Sequence, residues 1–196
     1  MVATRTLETE LNERGITNTK RWTRGVDLDL FRPVQNTLFD HLEAPIYLFV
    51  GRVAVEKNIE AFLKLDLPGT KVVVGDGPQR RQLQAAFPDT VFAGEQHGEA
   101  LAMHFSAADV FVFPSLTDTF GLVMLEAMAC GLPVAAFPVP GPVDVVTDPK
   151  AGVLDRDLAK AVYGALALSG DDTRRHATGY SWENCARLFL SNLHPV

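Results

Sequence analysis

Short apolar runs of strand length alternate with segments of helical periodicity along most of the chain. The runs are apolar at nearly every position, and the segments between them space apolar residues three and four apart, as at Ile59, Phe62 and Leu63. Uninterrupted apolar strands are typical of a parallel sheet covered by helices on both faces. The predicted strands are PIYLFV, TKVVVG, TVFAG, DVFVFP, PVAAF and the shorter GVL.

This alternation predicts an α/β fold with a doubly wound, Rossmann-like parallel sheet of about six strands. Ligands of such sheets bind beyond the carboxyl ends of the strands. We therefore expect four of the loops that follow strands to share one rim. These loops are GRVAVEKN, GDGP, AGEQHG and PSLTDTFG.

The two ends of the chain are less regular. LETELNERG predicts a short helix that stops at Gly15, TKRWTRGVD predicts a strand leading into a loop, and DLDLFRPVQNTLFDHLEA predicts an irregular connector. After the last strand, helices are predicted over DRDLAKAVYGALAL, DDTRRHAT and SWENCARLFLSNL.

Composition excludes several classes of protein. The net charge of −6 argues against nucleic acid as the main partner. No apolar run is long enough to span a bilayer. Cys130 and Cys185 are too few and too far apart for a disulfide framework or a metal site, which favours the reducing cytoplasm. Neither a Walker motif nor a G-x-G-x-x-G turn follows a strand.

Two acids interrupt the apolar segment PSLTDTFGLVMLEAMACG. Glu126 lies in a helix that is apolar nearly all round, so its carboxylate needs a solvent-facing stripe, a backbone donor or a ligand such as a ribose diol. Asp118 precedes that helix and could be its N-cap. The same geometry leaves amides near Gly121 free to bind an anion, because glycine lets a ligand approach the backbone closely.

Two cations, Arg52 and Lys57, follow Gly51 at the end of the first strand of the sheet. They could be ordinary exposed residues. At the carboxyl rim of a parallel sheet they are also well placed to hold a diphosphate.

Taken in order, GRVAVEKN, GDGP and PSLTDTFGLVMLEAMACGLPVAA resemble the C-terminal domain of the group 1 (family 4) retaining glycosyltransferases of the GT-B fold. RGVDLDLF and YSWENCA are similar to the segments that flank this domain. The resemblance covers the chain from about Arg24 onward.

The resemblance implies a role for each matching residue. Glu126 would bind the ribose of a nucleotide-sugar donor, Asp118 the hydroxyls of the sugar, and Arg52 and Lys57 the diphosphate, without an essential metal ion. These two cations and Asp118 would form the catalytic set. Further donor contacts are expected from Gly51, Phe92 to Gly94, Thr119, Phe120, Gly121 and Leu122.

Two departures from the family pattern affect this site. The first acid is usually Glu, and Asp118 is one methylene shorter, so its reach toward the sugar differs. The family's paired glycines appear here as PGPVDVV, in which Pro140 and Pro142 should stiffen the loop around Gly141.

The resemblance also implies a domain plan. Residues 1–24 would be the end of a missing N-terminal acceptor domain with its linker, 25–180 the nucleotide-sugar domain, and 181–196 a helix that crosses back. The chain alone would then be inactive, and the whole enzyme would be cytoplasmic, with peripheral membrane association as a further expectation.

GDP-mannose is the favoured donor and a UDP-sugar the other. The main alternative is a non-catalytic nucleotide-binding or interaction domain. A nucleotide-sugar epimerase of related fold is a further alternative, but it would need extra acids and a histidine near the cleft, and the sequence shows no such set.

Overall fold

A computed structural model describes residues 1–193 of the chain. Six strands form one parallel sheet in the order β3-β2-β1-β4-β5-β6. The predicted fold class is therefore confirmed, with each of the six predicted strands of the sheet in place. The strands are β1 Ile46–Val50, β2 Thr70–Val74, β3 Val91–Gly94, β4 Val110–Phe113, β5 Val134–Ala136 and β6 Gly152–Leu154.

Helices alternate with these strands and flank the sheet. The first lies near the start of the chain and three follow the last strand. A short 3₁₀ helix, Val55–Lys57, precedes α2. The α-helices are α1 Arg5–Glu13, α2 Ile59–Leu63, α3 Arg80–Ala86, α4 Gly98–Ser106, α5 Leu122–Ala129, α6 Pro142–Val145, α7 Leu158–Leu166, α8 Gly170–Thr178 and α9 Trp182–Ser191.

The core lies on both faces of the sheet, because alternate strand residues point to opposite sides. Leu48 of β1 belongs to the apolar cluster that α4, α5 and α8 cover. Its neighbours Tyr47 and Phe49 belong to the other cluster, under α2, α3 and α7. Every residue of β1 and β4 is buried, which explains why these strands are apolar throughout.

Two local predictions were wrong. TKRWTRGVD is not a strand of the sheet and makes only the isolated bridges Val2 to Arg21 and Val26 to Ser181. Its alternating charged residues cannot be buried on both faces, as the sheet requires. Within PGPVDVV, which was treated as a loop, the structure has the four-residue helix α6, and Pro142 begins it, since proline fits the first helical position.

The terminal segments pack against the body of the domain. Asp144 of α6 accepts a hydrogen bond from the backbone N of Thr6 at 2.9 Å, at the N-terminal end of α1. The structure has a helix, α9, within the segment 181–196, residues 194–196 lie outside the described part of the chain, and the crossing of this helix to another domain stays a prediction. Within residues 1–193, no helix combines the length and apolar character that crossing a bilayer requires.

Candidate functional site

The site lies at the crevice where the strand order reverses. From β1, the strands β2 and β3 extend the sheet to one side, while β4, β5 and β6 extend it to the other. Such a switch point is where open α/β sheets bind ligands. A cavity of about 400 Å³ opens there; the residues lining it are Arg24, Phe49, Val50, Gly51, Arg52, Lys57, Phe113, Asp118, Thr119, Phe120, Gly121, Leu122 and Val123.

An ion pair joins the two sides of this crevice. Lys57 Nζ lies 2.9 Å from Asp118 Oδ2, and the two side chains are only 27% and 15% exposed. A pair this sheltered is screened far less than a surface pair. The ammonium group has three donors and gives one to Asp118, so it keeps donors for a further anion.

The loops that carry this pair are tied together. Asn58 Nδ2 donates to the carbonyl of Pro114 at 3.0 Å, which links the β1 side of the crevice to the β4 side. Lys57 Nζ also lies 5.9 Å from the centre of the Phe113 ring. The side chain of Lys57 is therefore positioned before any ligand binds.

Asp118 does not cap α5, contrary to the alternative considered from the sequence. Its Oδ1 accepts from the backbone N of Phe120 at 3.1 Å, and Gly121 occupies the N-cap position without a side-chain cap. Gly121 has φ of 81°, a left-handed conformation that glycine adopts without strain. Among the described residues, the N–H groups of Gly121, Leu122 and Val123 meet no acceptor, so they are free to donate to an anion.

Arg52 is the more exposed cation of the cavity. It forms a pair of 3.3 Å with Glu56, and both side chains are more than half exposed. Such a pair contributes little to stability. Arg52 is therefore free to turn toward a ligand at small cost.

A second cavity, of about 350 Å³, continues the rim toward β2 and β3. It shares Val50, Gly51 and Arg52 with the first, and its other lining residues are Val74, Gly75, Asp76, Glu95, Gln96 and His97. All four predicted loops thus contribute to one rim. Phe92 and Gly94 belong to β3, just before the residues of this lining, and are not among them. Phe92 packs against the core, and the carbonyl of Gly94 accepts a hydrogen bond from Gly75 N at 2.7 Å.

Glu126 lies on α5, one turn after Leu122, and is not among the lining residues. The side chain is half-buried and has no hydrogen bond or ion pair within residues 1–193. Burial raises the pKa of this carboxyl group above its ordinary value of 4.5. Three partners for this carboxylate were considered from the sequence: solvent, a backbone donor and a ligand. Within residues 1–193 no backbone donor contacts it.

Sequence reasoning missed Arg24, which lines the main cavity. Arg24 belongs to the predicted strand TKRWTRGVD and to the flanking match RGVDLDLF, and nothing in its local pattern marks it as a ligand-binding residue. Glu95, Gln96 and His97 were missed as well, although their loop was placed at the rim. Across residues 1–193, no group of three or more His, Cys, Asp or Glu side chains is arranged to hold a metal ion.

The fold and the cavity together define a Rossmann-like domain with a crevice at its switch point that is lined by cations and free backbone N–H groups. The family model of the group 1 glycosyl transferases matches residues 44–168. The chain belongs to this family.

Known proteins are similar over most of this chain. A GDP-mannose-dependent alpha-mannosyltransferase of Mycobacterium tuberculosis is 40% identical over 78% of this chain and 42% of its own length. Sucrose-phosphate synthase from Thermosynechococcus elongatus superimposes with a TM-score of 0.79 at 28% identity, over 97% of this chain and 56% of that structure.

A third similar protein is HepE from Anabaena, solved in complex with UDP. It has a TM-score of 0.80 at 18% identity, over 98% of this chain and 63% of that structure. At this identity the similarity shows the fold alone. The chain spans less than half the length of its mannosyltransferase relative.

Proposed function

We propose that this chain is the donor-binding part of a retaining glycosyltransferase and holds the diphosphate of a nucleotide sugar. The observation that carries the proposal is the convergence of Arg52, Lys57, Asp118 and the free amides of α5 in one cavity at the switch point. A diphosphate matches this arrangement of cations and backbone donors.

The chemistry follows from where charge develops. Cleaving the bond between the sugar and the nucleoside diphosphate builds negative charge on the departing phosphate oxygen. Lys57, Arg52 and the α5 amides would stabilise that charge. Lys57 and the amides are already positioned, so they need little reorganisation, while Arg52 turns in from its exposed pair with Glu56. Asp118 would accept hydrogen bonds from the sugar, since a carboxylate has more acceptor sites than the two donors it now meets.

GDP-mannose is the donor that we favour. Support comes from the mannosyltransferase relative, whose name specifies GDP-mannose, at 40% identity. The UDP complex of HepE supports a UDP-sugar more weakly, because its similarity is one of fold. The acceptor site and the remaining catalytic groups would come from the part of such enzymes that lies outside the region of similarity. The whole enzyme would act in the cytoplasm.

Titration of the chain with GDP, UDP and ADP tests the proposal. Calorimetry should detect binding of GDP at micromolar to millimolar concentration, with weaker binding of the other two. Guanosine should bind less tightly than GDP, because it lacks the diphosphate that the cations hold. Absence of binding by all three nucleotides at millimolar concentration would instead favour the alternative, an interaction domain without a nucleotide.

We expect Glu126 to bind the ribose, and protonation of its carboxylate should then weaken GDP binding. We expect Glu126→Gln to weaken GDP binding by about tenfold, or roughly 1.4 kcal/mol, since the amide accepts less well from two hydroxyls. The pKa is raised by burial, so wild-type affinity should decline as pH falls through that raised value, at a higher pH than for an ordinary glutamate.

Calorimetry between pH 5 and 8 (roughly the range accessible to a stable fold) measures this dependence. Glu60→Gln is the matched control, because Glu60 lies on α2 in an exposed pair with Lys64. Equal affinity of the Glu126 variant and the wild type would rule out the ribose assignment.

A further inference from the structure

Arg24 is a cation of the main cavity that has no anionic partner within residues 1–193. Lys57 is paired with Asp118 and Arg52 with Glu56. For Arg24, by contrast, the described residues provide neither a carboxylate within 4.0 Å nor a hydrogen-bond acceptor, although its side chain is half-buried. A half-buried guanidinium group that meets no acceptor among the described residues has N–H donors available for a ligand.

The side chain of Arg24 is held in place from one face. Its guanidinium carbon lies 5.4 Å from the centre of the Trp22 ring, and that ring packs against Phe189 of α9 at 5.0 Å. This cation–π contact with Trp22 is not a hydrogen bond, so it leaves the N–H groups of Arg24 available to a ligand.

The backbone around Arg24 is fixed as well. Gly25 presses against α9 so closely that an added Cβ would lie 2.7 Å from the Trp182 ring. On either side, Val26 N donates to the carbonyl of Tyr180 and Trp22 N to that of Val2, each at 2.8 Å. The arginine is thus preorganised, which lowers the entropy that a ligand must overcome.

Arg24 and Arg52 lie near different neighbouring cavities. Arg52 lies at the end that continues into the second cavity. Arg21 and Thr23, the neighbours of Arg24, line a different cavity that shares Phe120 with the first. Arg24 and Arg52 therefore lie toward different ends of the main cavity.

The charge of the lining favours an anion in the main cavity. Arg24, Arg52 and Lys57 line the cavity with a single carboxylate, that of Asp118, and this carboxylate is already paired with Lys57. A phosphoryl group matches the forked edge of a guanidinium with two parallel hydrogen bonds.

We propose that Arg24 is a phosphoryl-binding residue of this cavity, acting as a third cation beside Arg52 and Lys57. The inference rests on the proposed function. Two molecules can supply a phosphoryl group of this kind. One is the donor, through the terminal phosphate of its diphosphate, and the other is an acceptor that carries a phosphate.

Calorimetry on the folded chain distinguishes these sources with Arg24→Gln and Arg24→Lys. If the donor supplies the phosphate, Arg24→Gln weakens the binding of GDP and of inorganic pyrophosphate about tenfold and leaves GMP unchanged. Arg24→Lys recovers part of the loss, because it keeps the charge without the planar fork. If the acceptor supplies it, GDP binding is unchanged, and inorganic phosphate binds to the GDP-saturated wild type but not to Arg24→Gln.

Arg156→Gln is the matched control, since Arg156 is exposed and is not among the residues that line this cavity. Unchanged binding of GDP, pyrophosphate and phosphate in Arg24→Gln overturns the inference and leaves the proposed function intact. Equal losses for GDP, GMP and guanosine also overturn it, as they reflect a general disturbance of the fold. If pyrophosphate binding depends on Arg24 but GDP binds no more tightly than pyrophosphate, the inference is supported and the proposed function is contradicted.

Discussion

Replacing Lys57 with alanine should weaken GDP binding by about 100-fold, or roughly 2.7 kcal/mol, and leave guanosine binding nearly unchanged. The ammonium group is sheltered, lies 2.9 Å from Asp118 and retains donors for a diphosphate. A charged contact made out of bulk water is stronger than one on the surface. Calorimetry with GDP and guanosine measures the two affinities.

The variant also leaves the carboxylate of Asp118 without its partner, which lowers stability. Lys57→Ala combined with Asp118→Asn removes that unpaired charge and should recover stability but not GDP affinity. Lys64→Ala is the control, because Lys64 forms an exposed pair with Glu60 on α2. A Lys57 variant that is folded and binds GDP as tightly as the wild type would contradict the diphosphate assignment.

Gly75→Ala should lower the free energy of unfolding by about 3 kcal/mol or more. Gly75 has φ of 131°, and a Cβ there would lie 2.0 Å from the carbonyl oxygen of Gly51. That oxygen belongs to the backbone, so no side-chain rotation relieves the contact. The end of β1 must move, and with it Gly51 and Arg52 of the cavity.

Urea denaturation measures this loss, and Gly15→Ala separates its two causes. Gly15 has φ of 86° but meets no atom within 4 Å of an added Cβ. Its variant should therefore cost only the backbone strain, about 1 to 2 kcal/mol. Similar losses for the two variants would show that the contact with Gly51 is unimportant.

The sheet could be predicted from the sequence because its strands are buried on both faces. Such strands are apolar at every position, and the loops that follow them fall on one rim by topology alone. The predicted rim therefore included Arg52, Lys57 and Asp118, which the structure places in one cavity.

Contacts between distant segments could not be predicted in this way. The bond between Lys57 and Asp118 joins residues 61 positions apart, and its length depends on how two loops pack. Arg24 reaches the cavity only because its loop is fixed against α9, far away in sequence. The start of α6 was missed for a local reason: proline suggested a stiff loop, although it also fits the first turn of a helix.

For Glu126, the need for a partner could be predicted from the sequence, but the partner itself could not. Its isolation in an apolar helix identified it as a carboxylate needing a partner, and the structure leaves it half-buried without one in residues 1–193. The ribose that we propose as its partner belongs to a ligand, which no pattern of residues in the helix itself specifies.

A crystal structure of the chain soaked with GDP tests the central claim most directly. The account predicts the diphosphate in the crevice between β1 and β4, within hydrogen-bond distance of Lys57 Nζ and of the N–H groups at the start of α5. GDP bound on another face of the sheet, with the pair between Lys57 and Asp118 untouched and the crevice empty, would contradict it.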